Sequence, residues 1–166
     1  AHGREADYAP LQPGKVAWYD RMVHIALDEI ESMIALPFHP SNVYTIHDFV
    51  ANAKDILASV EAEAAAKFKK AKLDLVSKVR PDGSVMADQG IIAGCAGGMF
   101  DSVDEAAAIL RGASTGCGYF SLSVYPTSVP VSLELTRVGD TTDLLSAGAV
   151  IKPSFCGPCF GAGDVP

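Results

Sequence analysis

The stretch Phe155-Cys-Gly-Pro-Cys-Phe160 decides how this chain is to be read. Two thiols separated by two residues serve either a dithiol–disulfide couple or part of a metal site. The surroundings must choose between them. Just ahead lies Ala149-Val-Ile-Lys152, a short run of β formers, and only seven residues follow Cys159.

Upstream of this stretch the pattern is regular. Gly90-Ile-Ile-Ala-Gly-Cys95 reads as a short apolar strand. Ser102-Val-Asp-Glu105 reads as a capping box opening a helix through Leu110, with Gly112 as its stop. Tyr119 to Tyr125 alternates and is rich in β formers, a second strand. Val129 to Val138 is predicted to be a helix, capped by Thr127 or Ser128, with Pro130 in its first turn and Gly139 as its stop. A short helix over Thr142 to Ala147 ends at Gly148, and Ala149–Lys152 is a third strand. The order β-α-β-α-α-β implies an α/β fold, mainly a parallel sheet with flanking helices. Earlier in the chain, Phe49, Ala53, Ile56, Leu57, Val60, Ala64, Phe68 and Ala71 recur at helical spacing, predicting a long amphipathic helix from His47 to Ala71. Its other face (Lys54, Glu61, Glu63, Lys67, Lys70) reads as solvated. Met22–Ala26 and Leu73–Val79 read as strands. Pro37-Phe-His-Pro40 reads as a break and Pro81-Asp-Gly83 as a turn. Residues 1–17 read as an arm and 18–166 as the domain.

In a parallel sheet all strand C-termini lie along one edge, where ligands gather. Cys95 ends the first of these strands, and Cys156 and Cys159 follow the third. These three thiols are expected to meet. Cys117 precedes its strand and belongs at the opposite edge. A thioredoxin-like motif sits early in its fold and needs further strands after it, which seven residues cannot supply. A structural zinc site needs four ligands. Three thiols with one open position suit an iron–sulfur cluster that keeps one iron for chemistry. A thiol–disulfide oxidoreductase running on Cys156 and Cys159 stays as the alternative. Ala96-Gly-Gly98 after Cys95 would also suit a phosphate loop, but neither the G-x-x-x-x-G-K-[ST] nor the G-x-G-x-x-G spacing is present.

The bulk numbers narrow the partners. The net charge of −7 over 166 residues argues against nucleic acid and anionic membranes. No apolar run approaches the roughly 18 residues of a membrane span, and the polar N-terminus lacks the order of a signal peptide. The expected compartment is the cytoplasm, where thiols stay reduced. The chain starts without Met and stops in a Gly-rich stretch, so it is expected to be a domain of a larger protein.

The segments Ile91-Ile-Ala-Gly-Cys95, Phe120-Ser-Leu-Ser-Val-Tyr-Pro126, Ala147-Gly-Ala-Val-Ile-Lys152 and Phe155-Cys-Gly-Pro-Cys-Phe-Gly161 resemble, in that order, the cluster-bearing third domain of the aconitase superfamily. Trp18-Tyr-Asp-Arg-Met-Val-His-Ile-Ala-Leu27 and Pro37–Pro40 resemble the segment leading into it. The resemblance implies that Cys95, Cys156 and Cys159 ligate a [4Fe–4S] cluster, which the isolated domain need not retain. Its fourth iron would bind the hydroxyl and carboxylate of a small hydroxy-carboxylic acid and act as a Lewis acid in dehydration and rehydration. The catalytic base and substrate-binding arginines of that family lie in other domains, so no catalytic residue is expected in this chain, and its partners are the other domains of the same polypeptide. Two departures stand out. Ala96-Gly97-Gly98 replaces Thr-Asn-Ser, and Phe160-Gly-Ala-Gly163 replaces Ile-Gly-Gln-Trp. They point away from citrate and toward an aconitase-like hydratase or a non-catalytic relative.

The remaining candidates have plainer readings. Thr127 and Ser128 follow the second strand at the active edge, first as a helix cap, with Ser128 the candidate substrate contact. Cys117 reads as a small packed residue. His24, His39 and His47 read as surface, loop and capping residues. Asp101 and Glu105 read as helix-start charges, and Trp18 and Tyr19 as anchors for the arm.

Overall fold

The computed structural model describes residues 3, 5–68 and 72–164. Its elements form two groups, each with its own hydrophobic cluster. In the first, strands β1 (Met33–Ala35) and β2 (Val43–Thr45) pair antiparallel, with Ile34 opposite Tyr44. The Pro37–Pro40 break is the turn between them, and there His39 Nδ1 lies 2.7 Å from the Ser41 hydroxyl, as a loop residue. Helix α1 (Ile46–Lys67) follows at once, and its first turn is capped by the Thr45 hydroxyl, which accepts from the Asp48 amide at 3.0 Å. The helix kinks at Asn52, whose backbone is non-helical and whose side-chain amide donates to the Asp48 carbonyl at 3.1 Å. Phe49, Ala53 and Leu57 form its buried stripe against Ile34, Tyr44, Val76 and Val79. The predicted continuation of this helix past residue 68 runs into positions outside the described residues.

Glu61 is not merely solvated. Its carboxylate accepts from the Leu75 and Val76 amides and so caps a 3-10 turn, Val76–Lys78. That turn stands where a strand over Leu73–Val79 was expected; only Val79 makes a β-bridge, to Val85 across the Pro81–Gly83 turn. The acceptor offered by Glu61 makes the turn preferable to a ladder with no partner strand.

The second group carries the α/β fold: β3 (Gln89–Ile92), a one-turn helix α2 (Gly94–Gly97), α3 (Phe100–Leu110), β4 (Ser121–Val124), α4 (Val129–Val138), α5 (Asp140–Ala147) and β5 (Val150–Ile151). The sheet order is β3-β4-β5 and both pairings are parallel, with Ile92 opposite Val124 and Val124 opposite Ile151. Period-two alternation then sorts the side chains. Leu122 and Val124 enter a core built with Val103 and Ala107 of α3, Leu135 of α4 and Leu144 of α5. Ser121, Ser123 and Tyr125 fall on the other face, beside Ile91 and Val150, which stay 39% and 47% exposed.

Helix α4 has the predicted bounds, with Ser128 as N-cap and Gly139 at φ +102° as both its end and the joint to α5. Helix α3 differs. It begins at Phe100, two residues before the proposed capping box, and no side chain caps it. The Ser102 hydroxyl instead donates to the Ala96 carbonyl at 3.2 Å, tying α3 to the turn before it. Residues 22–26 form no strand, because nothing pairs with them, and β1 starts only at Met33. Trp18 and Tyr19 are 92% and 72% exposed and anchor nothing within the described residues.

One buried charge sits in the second core. Asp140 is 2% exposed, and its Oδ2 has no hydrogen-bond partner. Arg111 Nη2 stands 3.9 Å from Oδ1, and Asp104 and Asp143 also face it. Burial, reinforced by Asp104, holds this carboxyl above its ordinary range against the opposing pull of Arg111. The fold therefore grips the Asp140 proton more tightly than the unfolded chain does. Its stabilising contribution is complete below the ordinary value of 3.8 and is lost as pH rises from there through the folded-state pKa. The Asp140→Asn variant, which carries no titrating group, should gain in Tm relative to the parent as pH rises from below that value to neutrality. Melting curves across that range check the sign; a difference that stays flat or shrinks would contradict the burial argument.

Candidate functional site

The site is built where the three parallel strands end. Past Ile92 the chain turns at Gly94, whose φ of +91° L side chains avoid, and enters α2 with Cys95 as its second residue. A Cβ on Gly94 would also lie 3.1 Å from Cys159 Sγ, so the lack of a side chain there gives that thiol its room. Backbone bonds fasten the turn to the end of β4. The Tyr125 amide donates to the Ile92 carbonyl and the Thr127 amide to the Gly98 carbonyl, both at 2.8 Å. The approach at Gly98 is tight enough to require glycine. A Cβ there would stand 2.4 Å from the Tyr125 oxygen and 2.8 Å from the Gly94 oxygen, closer than real Cβ atoms come.

From the other side, β5 delivers the Cys-Gly-Pro-Cys run. Cys156 leads into a 3-10 turn, Gly157–Phe160, with Pro158 in its first turn. Gly157 is buried, and its hypothetical Cβ would fall 2.0 Å from a ring carbon of Phe155. Cys95 and Cys156 line one cavity of about 260 Å³ with Tyr125, Pro126, Thr127, Ser154 and Phe155. Cys159 is not in its lining, but its Sγ lies near Gly94, which is. All three thiols are free and exposed. Cys117 is also free and exposed, but it lies in the loop ahead of β4, at the opposite end of the strands, and does not line this cavity. Among the described residues, no three His, Cys, Asp or Glu side chains are grouped so as to hold a metal ion.

The polar groups around the thiols divide into committed and uncommitted ones. The Ser128 hydroxyl accepts from the Val131 amide at 3.4 Å as the α4 cap, and its neighbour Thr127 lines the cavity. The Tyr125 hydroxyl donates to Asp164 Oδ2 at 2.7 Å. That bond, then burial, holds the phenol above its ordinary range. Asp164 is held below its own, first by Tyr125 and then by the Ser123 hydroxyl and Lys152, against a smaller opposing effect of burial. The Ser154 hydroxyl is uncommitted: its oxygen is buried and has no partner. A larger cleft of about 990 Å³ is lined by Arg80, Asp88, Gln89 and Tyr119 together with Gly163 and Asp164; it holds none of the four cysteines, and its size alone gives it no chemistry.

Residues 2–166 match the aconitase family (aconitate hydratase). The chain belongs to the aconitase family. The 2,3-dimethylmalate dehydratase large subunit of Eubacterium barkeri is 27% identical over 96% of this chain and 30% of its own length. The 3-isopropylmalate dehydratase large subunit of Caldanaerobacter subterraneus is 23% identical over 93% of this chain and 29% of its own. That of Mycolicibacterium smegmatis is 45% identical over 45% of this chain and 17% of its own. The aconitase-family chain thus spans about a third or less of the relatives it matches. Those relatives are dehydratases, so the family context is that of hydro-lyases.

Tyr125, Ser154 and Asp164 escaped the reading of the sequence. Tyr125 was read only as the end of a strand, Ser154 had no reading, and Asp164 lies beyond the last predicted element. Spacing gave no signal for them, since only the fold brings Tyr125 and Ser154 to the thiol cavity and Asp164 to Tyr125. The glycines were the better clue. Gly98→Ala should cost about 2–4 kcal/mol, because the added carbon meets backbone rather than a movable side chain. Gly97→Ala, with nothing within 4 Å, should cost about 1 kcal/mol or less. Urea unfolding of the two variants side by side tests this, and equal losses would refute the seam.

Proposed function

We propose that this chain is the part of a hydro-lyase that holds a [4Fe–4S] cluster on Cys95, Cys156 and Cys159, and that the whole enzyme adds or removes water at a hydroxy-carboxylic acid. The observation that carries the reading is that Cys95 and Cys156, far apart in sequence, line one cavity, with Cys159 Sγ near Gly94 of the same lining. The donor set fits. Thiolates suit iron–sulfur chemistry, the buried Ser154 hydroxyl is free to donate to a sulfur, and Gly94 leaves space beside Cys159. A cluster spreads its ligands over several irons, so three separated thiols that hold no single ion remain compatible with one. When bound, the cluster supplies a Lewis acid for the substrate's hydroxyl and carboxylate.

The chain's own residues hold and shield that group. Phe155 and Pro126 give the cavity an apolar wall, and Phe160 stands edge-on to Phe155 at 6.5 Å. That wall, and the three relatives named for alkyl-substituted malates, support a substituted malate as substrate. The Tyr125 phenol is already engaged by Asp164 and is a poor proton donor to substrate. Ser128 serves as a cap through one lone pair, which leaves its O–H proton and second lone pair for a substrate. The base and the substrate-binding cations therefore come from other parts of the polypeptide, and residues 18–166 are the cluster-bearing domain, inactive alone, with 1–17 as an arm. The relatives' designation as large subunits supports a second, smaller subunit as partner. Cytoplasmic conditions would keep the four thiols reduced.

Anaerobic reconstitution of the whole polypeptide should give the broad visible absorption of a cluster, with hydration or dehydration of a substituted malate. Cys95→Ser, Cys156→Ser and Cys159→Ser should lose both to background, and Cys117→Ser should keep both. No absorption in the parent protein, or equal loss in all four variants, would reject the assignment.

A further inference from the structure

We propose that Tyr125, Lys152 and Asp164 form a latch that closes the neck of the thiol-bearing loop and fixes Cys156 and Cys159 relative to Cys95. The loop leaves the sheet at Lys152, whose amide donates to the Val124 carbonyl at 2.8 Å. It comes back to the sheet at Asp164. At that neck Lys152 Nζ lies 3.2 Å from Asp164 Oδ1, and the Tyr125 hydroxyl donates to Oδ2 at 2.7 Å. Ser123, on the same face of β4, also turns its hydroxyl to this carboxylate. The two residues that begin and end the loop are thus bound to each other and to the central strand.

The latch is more than a surface ion pair. Tyr125 is 5% exposed, and the Asp164 side chain is 17% exposed. Charge-assisted bonds to a mostly buried carboxylate are stronger than exposed pairs. The loop also has few other polar ties. Its own backbone bonds are local: Cys159 to Cys156 at 3.3 Å, Gly161 to Pro158 at 3.3 Å and Ala162 to Gly157 at 2.9 Å. Among the described residues, no backbone hydrogen bond joins 153–164 to the sheet. Gly163, at φ +103°, lets the returning chain lie against the Tyr125 hydroxyl, 3.3 Å from its hypothetical Cβ. Side chains at the neck therefore set the loop's position, and these three are positioning residues. The purpose given to the latch rests on the cluster reading; the closure itself does not.

Two measurements on the whole polypeptide separate these claims. In the metal-free protein, Asp164→Ala should speed amide hydrogen exchange at Gly161 and Ala162 about tenfold, with β4 and α3 unchanged. Lys152→Met, which removes only the ion pair, should give a smaller increase at the same amides. Adding Tyr125→Phe to Asp164→Ala should add nothing, since the shared carboxylate is already gone. In the reconstituted protein, Asp164→Ala should shorten the cluster's lifetime against a chelator, and Asp164→Asn, which still accepts from Tyr125, should recover part of it. Unchanged exchange in the loop, or an increase spread over the whole domain, overturns the latch. Faster loop exchange with an unchanged cluster lifetime overturns its positioning role. If the parent protein forms no cluster, the functional reading fails, and the exchange result alone decides the latch.

Discussion

The close backbone approach between the Cys95 turn and the end of β4 is the constraint on which the site depends. The Gly98 carbonyl accepts from Thr127, and no side chain fits between the two segments. This seam converts a sheet edge into a site. Without it, Cys95 would sit on a flexible loop after a four-residue strand. With it, the thiol is referenced to β4, and β4 is the strand to which β5 and its dithiol are also referenced. Sulfurs from two distant parts of the chain are thus both referenced to the central strand.

That strand is unusual in what each face carries. Leu122 and Val124 enter the core and are held by three helices. Ser123 and Tyr125, on the reverse face, carry the polar contacts to Asp164. A single run, Ser121–Val124 with the two residues after it, therefore anchors the domain on one side and the returning C-terminal leg on the other. The alternation visible in the sequence between Tyr119 and Tyr125 encodes both tasks, because period two separates them cleanly.

The sequence made the α/β half of this fold legible for physical reasons. Short parallel strands, a Pro-led helix and glycine stops each have strong local causes, so α4 has its predicted bounds and the three strands pair in parallel. The failures arose where local signals had no tertiary partner. Met22–Ala26 has β-forming residues but no neighbouring strand, so it forms none. Leu73–Val79 lost its strand to a carboxylate from α1, an interaction over fourteen residues that no local window contains. Ser102 and Glu105 looked like a capping box, yet the serine's hydroxyl found a better acceptor on α2. Asp164 was invisible because its meaning depends on a loop returning to a face of the sheet.

The charge distribution explains why the site cannot be a complete binding pocket for a carboxylate by itself. The chain carries a net charge of −7, which repels an anionic substrate at long range. Of the residues lining the thiol cavity none is basic. The nearest cation in the loop, Lys152, is spent on Asp164, and Arg111 is taken by Asp143 at 2.7 Å on the helical side of the sheet. A dicarboxylic acid drawn to this edge would need cations from beyond these residues to offset desolvation of its charges. The apolar wall of Phe155 and Pro126 could take an alkyl group but not a carboxylate. The residues lining this cavity thus offer thiols and an apolar contact but no cation. Within Ala96-Gly97-Gly98, Gly98 is required by the seam itself, because a Cβ there would meet the Tyr125 and Gly94 carbonyl oxygens.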